Sequence, residues 1–141
     1  MATTSFQIRI DLEVNCAFIR HIGQIGLAEV PESFDKILAH PKFRKGINIL
    51  RDASEAVQPE NYGYKFFQKD SPQRLAKYEQ PFGNCKLAWV ISNPREFAMV
   101  HQFPVARRLS EDTIERQPFK TIEAAKEWLN IPEDYEISYS E

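Results

Sequence analysis

The sequence is short of cysteine, of glycine and of any surplus of charge, and each shortage removes a class of function. Its two cysteines, Cys16 and Cys85, stand far apart, and neither has a partner at the Cys-x-x-Cys interval of a zinc or redox motif. The three histidines, His21, His40 and His101, are never three or four residues apart, so no metal and no cofactor is expected. There are five glycines, and Gly23-Gln24-Ile25-Gly26 lacks the third glycine and the spacing of a dinucleotide fingerprint; a Walker sequence is also missing. Lys+Arg 18 against Asp+Glu 20 leaves a formal charge of -2. That balance gives no basic face to displace counterions, and the dense pair Arg107-Arg108 is too small to supply one, so nucleic acid is not an expected partner. No apolar run approaches the roughly 20 residues of a membrane span. The first six residues have neither a basic start nor an apolar stretch, so no signal peptide is expected and the cysteines are read as reduced core residues of a cytoplasmic protein.

Catalysis is equally unsupported. Cys85 and His101 can in principle meet across a strand and the following helix, yet the sequence has no nucleophile elbow or cysteine-hydrolase signature. Acidic residues such as Glu32, Glu55, Glu123 and Glu127 read as helix-surface positions. The expectation is a protein that is not an enzyme.

What the chain does have is the material of one ordinary core. With 141 residues and 43% hydrophobic content it is expected to form a single domain, ordered over about residues 5–130, with a polar, acidic, loosely docked tail at 131–141. Phe6, Ile8, Ile10 and Leu12 alternate with Gln7, Arg9, Asp11 and Glu13, the period of a strand with one buried face. Asn15 marks a turn into a second strand over residues 16–22, too close to the first for anything but antiparallel pairing. Pro31 suits the first helical position, with Phe34, Ile37 and Leu38 as the apolar stripe and His40-Pro41 as the stop. Residues 46–52 read as a third strand. Helical stretches follow from Pro59, carrying Tyr62, Phe66 and Phe67, and again from Ser71-Pro72. Residues 86–91 form the most continuous apolar run and are expected centrally in a parallel region. Asn93-Pro94 with Glu96 opens a further helix, Pro118 confines a strand at 114–119 to a sheet edge, and Thr121 caps a last helix presenting Ala124, Ala125, Trp128 and Leu129.

The order β-β-α-β-α-β-α-β-α predicts an α/β fold: a mostly parallel sheet of about five strands, an antiparallel N-terminal hairpin and about four helices. In open α/β sheets ligands and partners meet the loops at the carboxyl ends of strands. Residues 52–55 and 92–95 are read as two such loops, placing Asp52, Ser54, Asn93 and Arg95 on one rim for a partner or ligand. A plainer reading makes Asp52 and Ser54 turn formers and Asn93 a helix cap, and the residues leave both open.

Several stretches in this order carry a resemblance: residues 40–43 leading into 47–52, then Leu87-Ala88-Trp89-Val90, Asn93-Pro94-Arg95-Glu96-Phe97, and the closing residues 119–129. Together they resemble the STAS (SpoIIAA-like) domains of bacterial anti-sigma-factor antagonists, and more closely a STAS-like group of small bacterial proteins related in fold to the CRAL-TRIO lipid-transfer domain. In anti-sigma-factor antagonists the loop after the third strand carries a serine or threonine that a partner kinase phosphorylates; the position matching it here is Ser54. The Asp-Ser-Ser-Gly or Asp-Ser-Thr-Gly arrangement of those proteins is absent, since Ala53 and Glu55 flank Ser54. The resemblance implies a non-catalytic regulatory domain acting through a protein partner. The alternative is a carrier of a small apolar ligand, with Tyr62, Tyr64, Phe66 and Phe67 as lining. Homodimerisation is a further expectation, symmetric dimers being the commonest assembly.

Overall fold

The computed structural model describes residues 5–24, 29–57, 82–91 and 114–139. Within them five strands, β1 (Ser5–Asp11), β2 (Cys16–Gln24), β3 (Asn48–Val57), β4 (Cys85–Val90) and β5 (Ile114–Phe119), form one sheet in the order β1-β2-β3-β4-β5. β1 pairs antiparallel with β2, and the other pairings are parallel. Helix α1 (Glu29–Ala39) lies between β2 and β3, and helix α2 (Ile122–Trp128) follows β5. The further helices expected from Pro59, Ser71 and Asn93 fall outside the described residues. No helix among the described residues is long and apolar enough to cross a membrane.

Strand pleating divides the core into two halves. One face carries Ile10, Ala17, Ile19, Ile47, Ile49, Ala53, Leu87, Trp89 and Ile91 against Phe34 and Ile37 of α1 and against Phe82. Phe34 and Phe43 both meet Phe82 edge-on, at centroid distances of 5.4 and 5.3 Å. The opposite face carries Cys16, Phe18, Leu50, Ala88 and Val90 against Ala125, Leu129 and Ile131. β4 is flanked by parallel strands on both sides and buried on both faces, which is why its sequence is apolar without alternation. β5 is an outer strand of the described sheet, so Pro118 sits where a missing N–H is tolerated.

Local chemistry sets the turns. Asn15 takes a left-handed conformation (φ 51) at the hairpin, a region in which asparagine is enriched among non-glycine residues. Its Oδ1 accepts from Arg44 Nε and Nη2, both at 3.1 Å, its Nδ2 donates to the Gly46 carbonyl at 3.1 Å, and its own carbonyl accepts from Asn48 N at 3.0 Å. The hairpin turn is thereby bolted to the start of β3. Helix α1 begins two residues before Pro31, still within the first turn, where backbone N–H groups have no helical acceptor. Thr121 caps α2 by accepting from Ala124 N at 3.2 Å, and Asn130 (φ 60) closes it in the left-handed conformation common at helix C-termini.

Two expectations are corrected. Residues 52–55 are not a loop: β3 runs on to Val57. β2 also continues past residue 22, to Gln24, and its pairing supplies the backbone partners for the end of β3 after β4 has ended at Asp52↔Val90. The tail is not loosely docked either. Ile131 is buried, and Tyr135, Ile137 and Tyr139 pack against the second core half, alternating with exposed Glu136 and Ser138.

Ile19 is fully buried between β1, β3 and the α1 layer. Ile19→Ala is expected to cost about 2–5 kcal/mol in denaturant unfolding, whereas Leu12→Ala, 39% exposed in the hairpin turn, should stay within about 0.5 kcal/mol.

Candidate functional site

The pairing of β2 with β3 slips in one place. Arg20 stands opposite Asp52, and the next registered pair is Ile22 with Glu55, so β2 advances two residues while β3 advances three. His21 therefore faces both Ala53 and Ser54, the arrangement of a β-bulge. Polar side chains gather on each face of the sheet beside it.

On the α2 face, Asp52 binds the bulge together. Its Oδ1 accepts from the Ser54 backbone N–H at 3.0 Å and from the Ser54 hydroxyl at 2.6 Å, a local turn in which a side chain replaces a ladder partner. Its Oδ2 accepts from the Tyr139 hydroxyl at 2.8 Å. Arg20, across the ladder, holds its guanidinium 5.0 Å from the Tyr139 ring centroid and donates to Gln7 Oε1 from Nε at 3.2 Å and Nη2 at 2.7 Å. Burial, then the nearby Asp52 charge and the hydrogen bond to it, push the Tyr139 phenol far above its ordinary pKa, so it acts as a donor. Asp52 itself is only 7% exposed, and Ser54 is half-buried.

A second phenol contact lies nearby, on β1. Tyr135 stacks on Phe18, donates to Asp11 Oδ2 and accepts from Arg9 Nη1 at 3.1 Å. The hydrogen bond from Tyr135, and then that from the Glu13 N–H, hold the Asp11 carboxyl below its usual pKa.

On the α1 face the cluster is sealed. Arg51 is 1% exposed, with its guanidinium carbon 5.1 Å from the Phe34 ring and 5.7 Å from the Trp89 ring. Its Nη1 lies 2.7 Å from His21 Nε2 and donates to Ser33 Oγ at 3.0 Å. A guanidinium has only donors, so Nε2 must accept and the imidazole proton sits on Nδ1. Burial, and then the Arg51 charge, lower the His21 pKa to about 3, so the ring is neutral. Its buried position makes this cluster part of the interior rather than a surface for ligands.

Of the four residues read from the sequence as a rim, Asp52 and Ser54 are in direct contact, and Asn93 and Arg95 lie outside the described residues. Sequence reasoning missed Tyr139, Arg20 and the Arg51–His21–Ser33 cluster. A signal for the last was present: Arg51 shares the phase of Ile47, Ile49 and Ala53, and His21 that of Ala17 and Ile19, so both belong on the buried α1 face. Cys16 and Cys85 are both buried, and burial pushes the Cys16 thiol well above its ordinary pKa, the behaviour of an inert core residue. Among the described residues no three His, Cys, Asp or Glu side chains are grouped to hold a metal ion.

Compared with models of known protein families the sequence matches none, and a search of curated proteins likewise gives no match. Solved structures do match. One is an uncharacterized protein of the DUF3478 family with a SpoIIAA-like fold, from Shewanella loihica PV-4. It superposes with a TM-score of 0.57 at 16% sequence identity, over 92% of this chain and 97% of that one. The fold is therefore STAS-like, an α/β architecture on a five-stranded mixed sheet.

The neutral, buried His21 generates a pH dependence. Its pKa falls from 6.5 in the unfolded chain to about 3 in the fold, so between those values the unfolded state binds the extra proton. Stability is then full above pH 6.5 and falls as the pH is lowered towards 3. Denaturant unfolding at pH 7.5 and pH 5 should show about 2 kcal/mol of loss from this group, and His21→Gln should remove that part of the difference.

Proposed function

We propose that this chain is a non-catalytic STAS-type domain that regulates another protein by binding it, with the Asp52–Ser54 bulge as the point of contact. The observation that carries this reading is the 2.6 Å hydrogen bond from the Ser54 hydroxyl to Asp52, at the position where β3 runs past the end of its pairing with β4. The resemblance to anti-sigma-factor antagonists makes Ser54 the candidate phosphoacceptor. A phosphate there adds about -1.5 to -2 charges beside the Asp52 carboxylate, and like charges at hydrogen-bond distance repel. Modification would have to break the Ser54–Asp52 bond, which makes the bulge a two-state surface feature.

The absence of catalysis in this reading is supported by how the polar groups are spent. Asp52 already accepts three hydrogen bonds, and His21 is turned to Arg51 on the opposite face, away from the Ser54 hydroxyl. The carrier alternative drew on Tyr62, Tyr64, Phe66 and Phe67, which lie outside the described residues. A groove of about 750 Å³ beside α2 has a mixed lining, with Glu123, Lys126, Glu127 and Glu133 beside Ala124, Ile131 and Pro132.

Native mass spectrometry on protein purified from its own host, compared with the denatured mass, tests the reading. A retained protein partner is expected, and Ser54→Arg should weaken its retention roughly tenfold or more, the scale of one interface hot spot. A phosphate mapped to Ser54 would establish the switch. A small apolar adduct lost on denaturation would replace this reading with the carrier one, and a bare, unmodified mass would remove both.

A further inference from the structure

Helix α2 has only seven residues and packs on β4 and β5, so it cannot cover the whole of its face of the sheet. The β1–β2–β3 half is covered instead by residues 132–139, which add no strand to the five-stranded sheet. Side chains contribute to every contact described below. Lys126 Nζ donates to the carbonyls of Glu133 at 2.9 Å and Tyr135 at 2.7 Å. The Tyr135 ring lies 5.8 Å from that of Phe18 at an interplanar angle of 17°, and its hydroxyl bridges Arg9 and Asp11. The Tyr139 ring sits by Arg20, and its hydroxyl ends on the same carboxylate that holds Ser54. The chain's own C-terminal segment thus occupies the contact point assigned above.

We propose that residues 135–139 are a releasable strap over the Asp52–Ser54 bulge, closed in this structure and opened when a partner takes the surface. The proposal rests on the reading of that bulge as a contact surface. Opening needs no strand to leave the sheet. Buried Ile131 and the left-handed Asn130 hold the base of the strap next to α2. Because Asp52 bonds Ser54 through one oxygen and Tyr139 through the other, a change at Ser54 reaches the strap through a single side chain. Segments held in this way open at lower free energy than paired strands, and hydrogen exchange detects it.

The test uses the full chain without any partner. Asp52 is labelled with a carbodiimide and an amine, and amide exchange is followed in the wild type, Tyr139→Ala and Tyr139→Phe. The expected result is that Tyr139→Ala labels Asp52 about tenfold or more faster, with Tyr139→Phe in between, since it loses the charge-assisted hydrogen bond but keeps the ring. Residues 136–139 should exchange faster in both variants while the amides of β2 and β3 stay as protected as in the wild type. Labelling of Asp52 that is unchanged in both variants would overturn the strap. So would faster exchange spread equally through β2 and β3 in Tyr139→Phe, because the segment would then be part of the cooperative core. Neither readout involves a partner, so a failed partner search leaves the strap standing, and a failed strap leaves the partner reading standing.

Discussion

One extra residue on β3 organises the polar interior of this protein. Between the pairs Arg20–Asp52 and Ile22–Glu55, a single residue of β2 has to face two of β3. A regular ladder would give each backbone group a fixed partner; here the Ser54 N–H turns to the Asp52 side chain instead. The bulge thus converts a buried acidic residue from a liability into a structural acceptor, since a carboxylate that accepts three hydrogen bonds is tolerated where a bare one is not.

The two faces beside the bulge solve the same problem with opposite charges. On the α2 face a carboxylate is stabilised by a serine and a tyrosine; on the α1 face a guanidinium is stabilised by two rings, a neutral imidazole and a hydroxyl. Adjacent residues, Arg51 and Asp52, point to opposite sides of the sheet, Arg51 to His21 and Ser33 and Asp52 to Tyr139. The acidic side opens towards the surface through half-buried Ser54 and Tyr139, whereas the basic side is closed over by α1. This asymmetry leaves the acidic side the more accessible of the two and commits the basic side to the core.

Much of the fold was legible because its signals are local. The alternation in residues 6–10, the short connection between the first two strands, the apolar run at 86–91, Pro118 in an outer strand of the described sheet and the Thr121 cap each follow from backbone or burial chemistry that a short window contains, whereas Leu12, read as a buried-face residue, is exposed because β1 ends at Asp11. Asp52 and Ser54, read as neighbours on a loop rim, are joined in the structure but lie in a strand. Asp-Ala-Ser-Glu has the composition of a turn, and what makes it a strand is the extension of β2 to Gln24, some thirty residues away in sequence. The tail failed for the reverse reason. Its acidic composition hid a period-two pattern at Tyr135, Ile137 and Tyr139, and the surface that pattern covers belongs to β1, β2 and β3. Phase, rather than composition, held the information at Arg51 and His21 as well.

The tail also sets a schedule for synthesis. Arg9 and Tyr135 are partners separated by 126 residues, so the face around Phe18 is left uncovered until almost all of the described chain has been made. At the usual pace of translation that interval is on the order of ten seconds. The N-terminal hairpin can form within it, but its apolar underside stays available to chaperones, or to other nascent chains, until the last aromatic residues emerge and close over it.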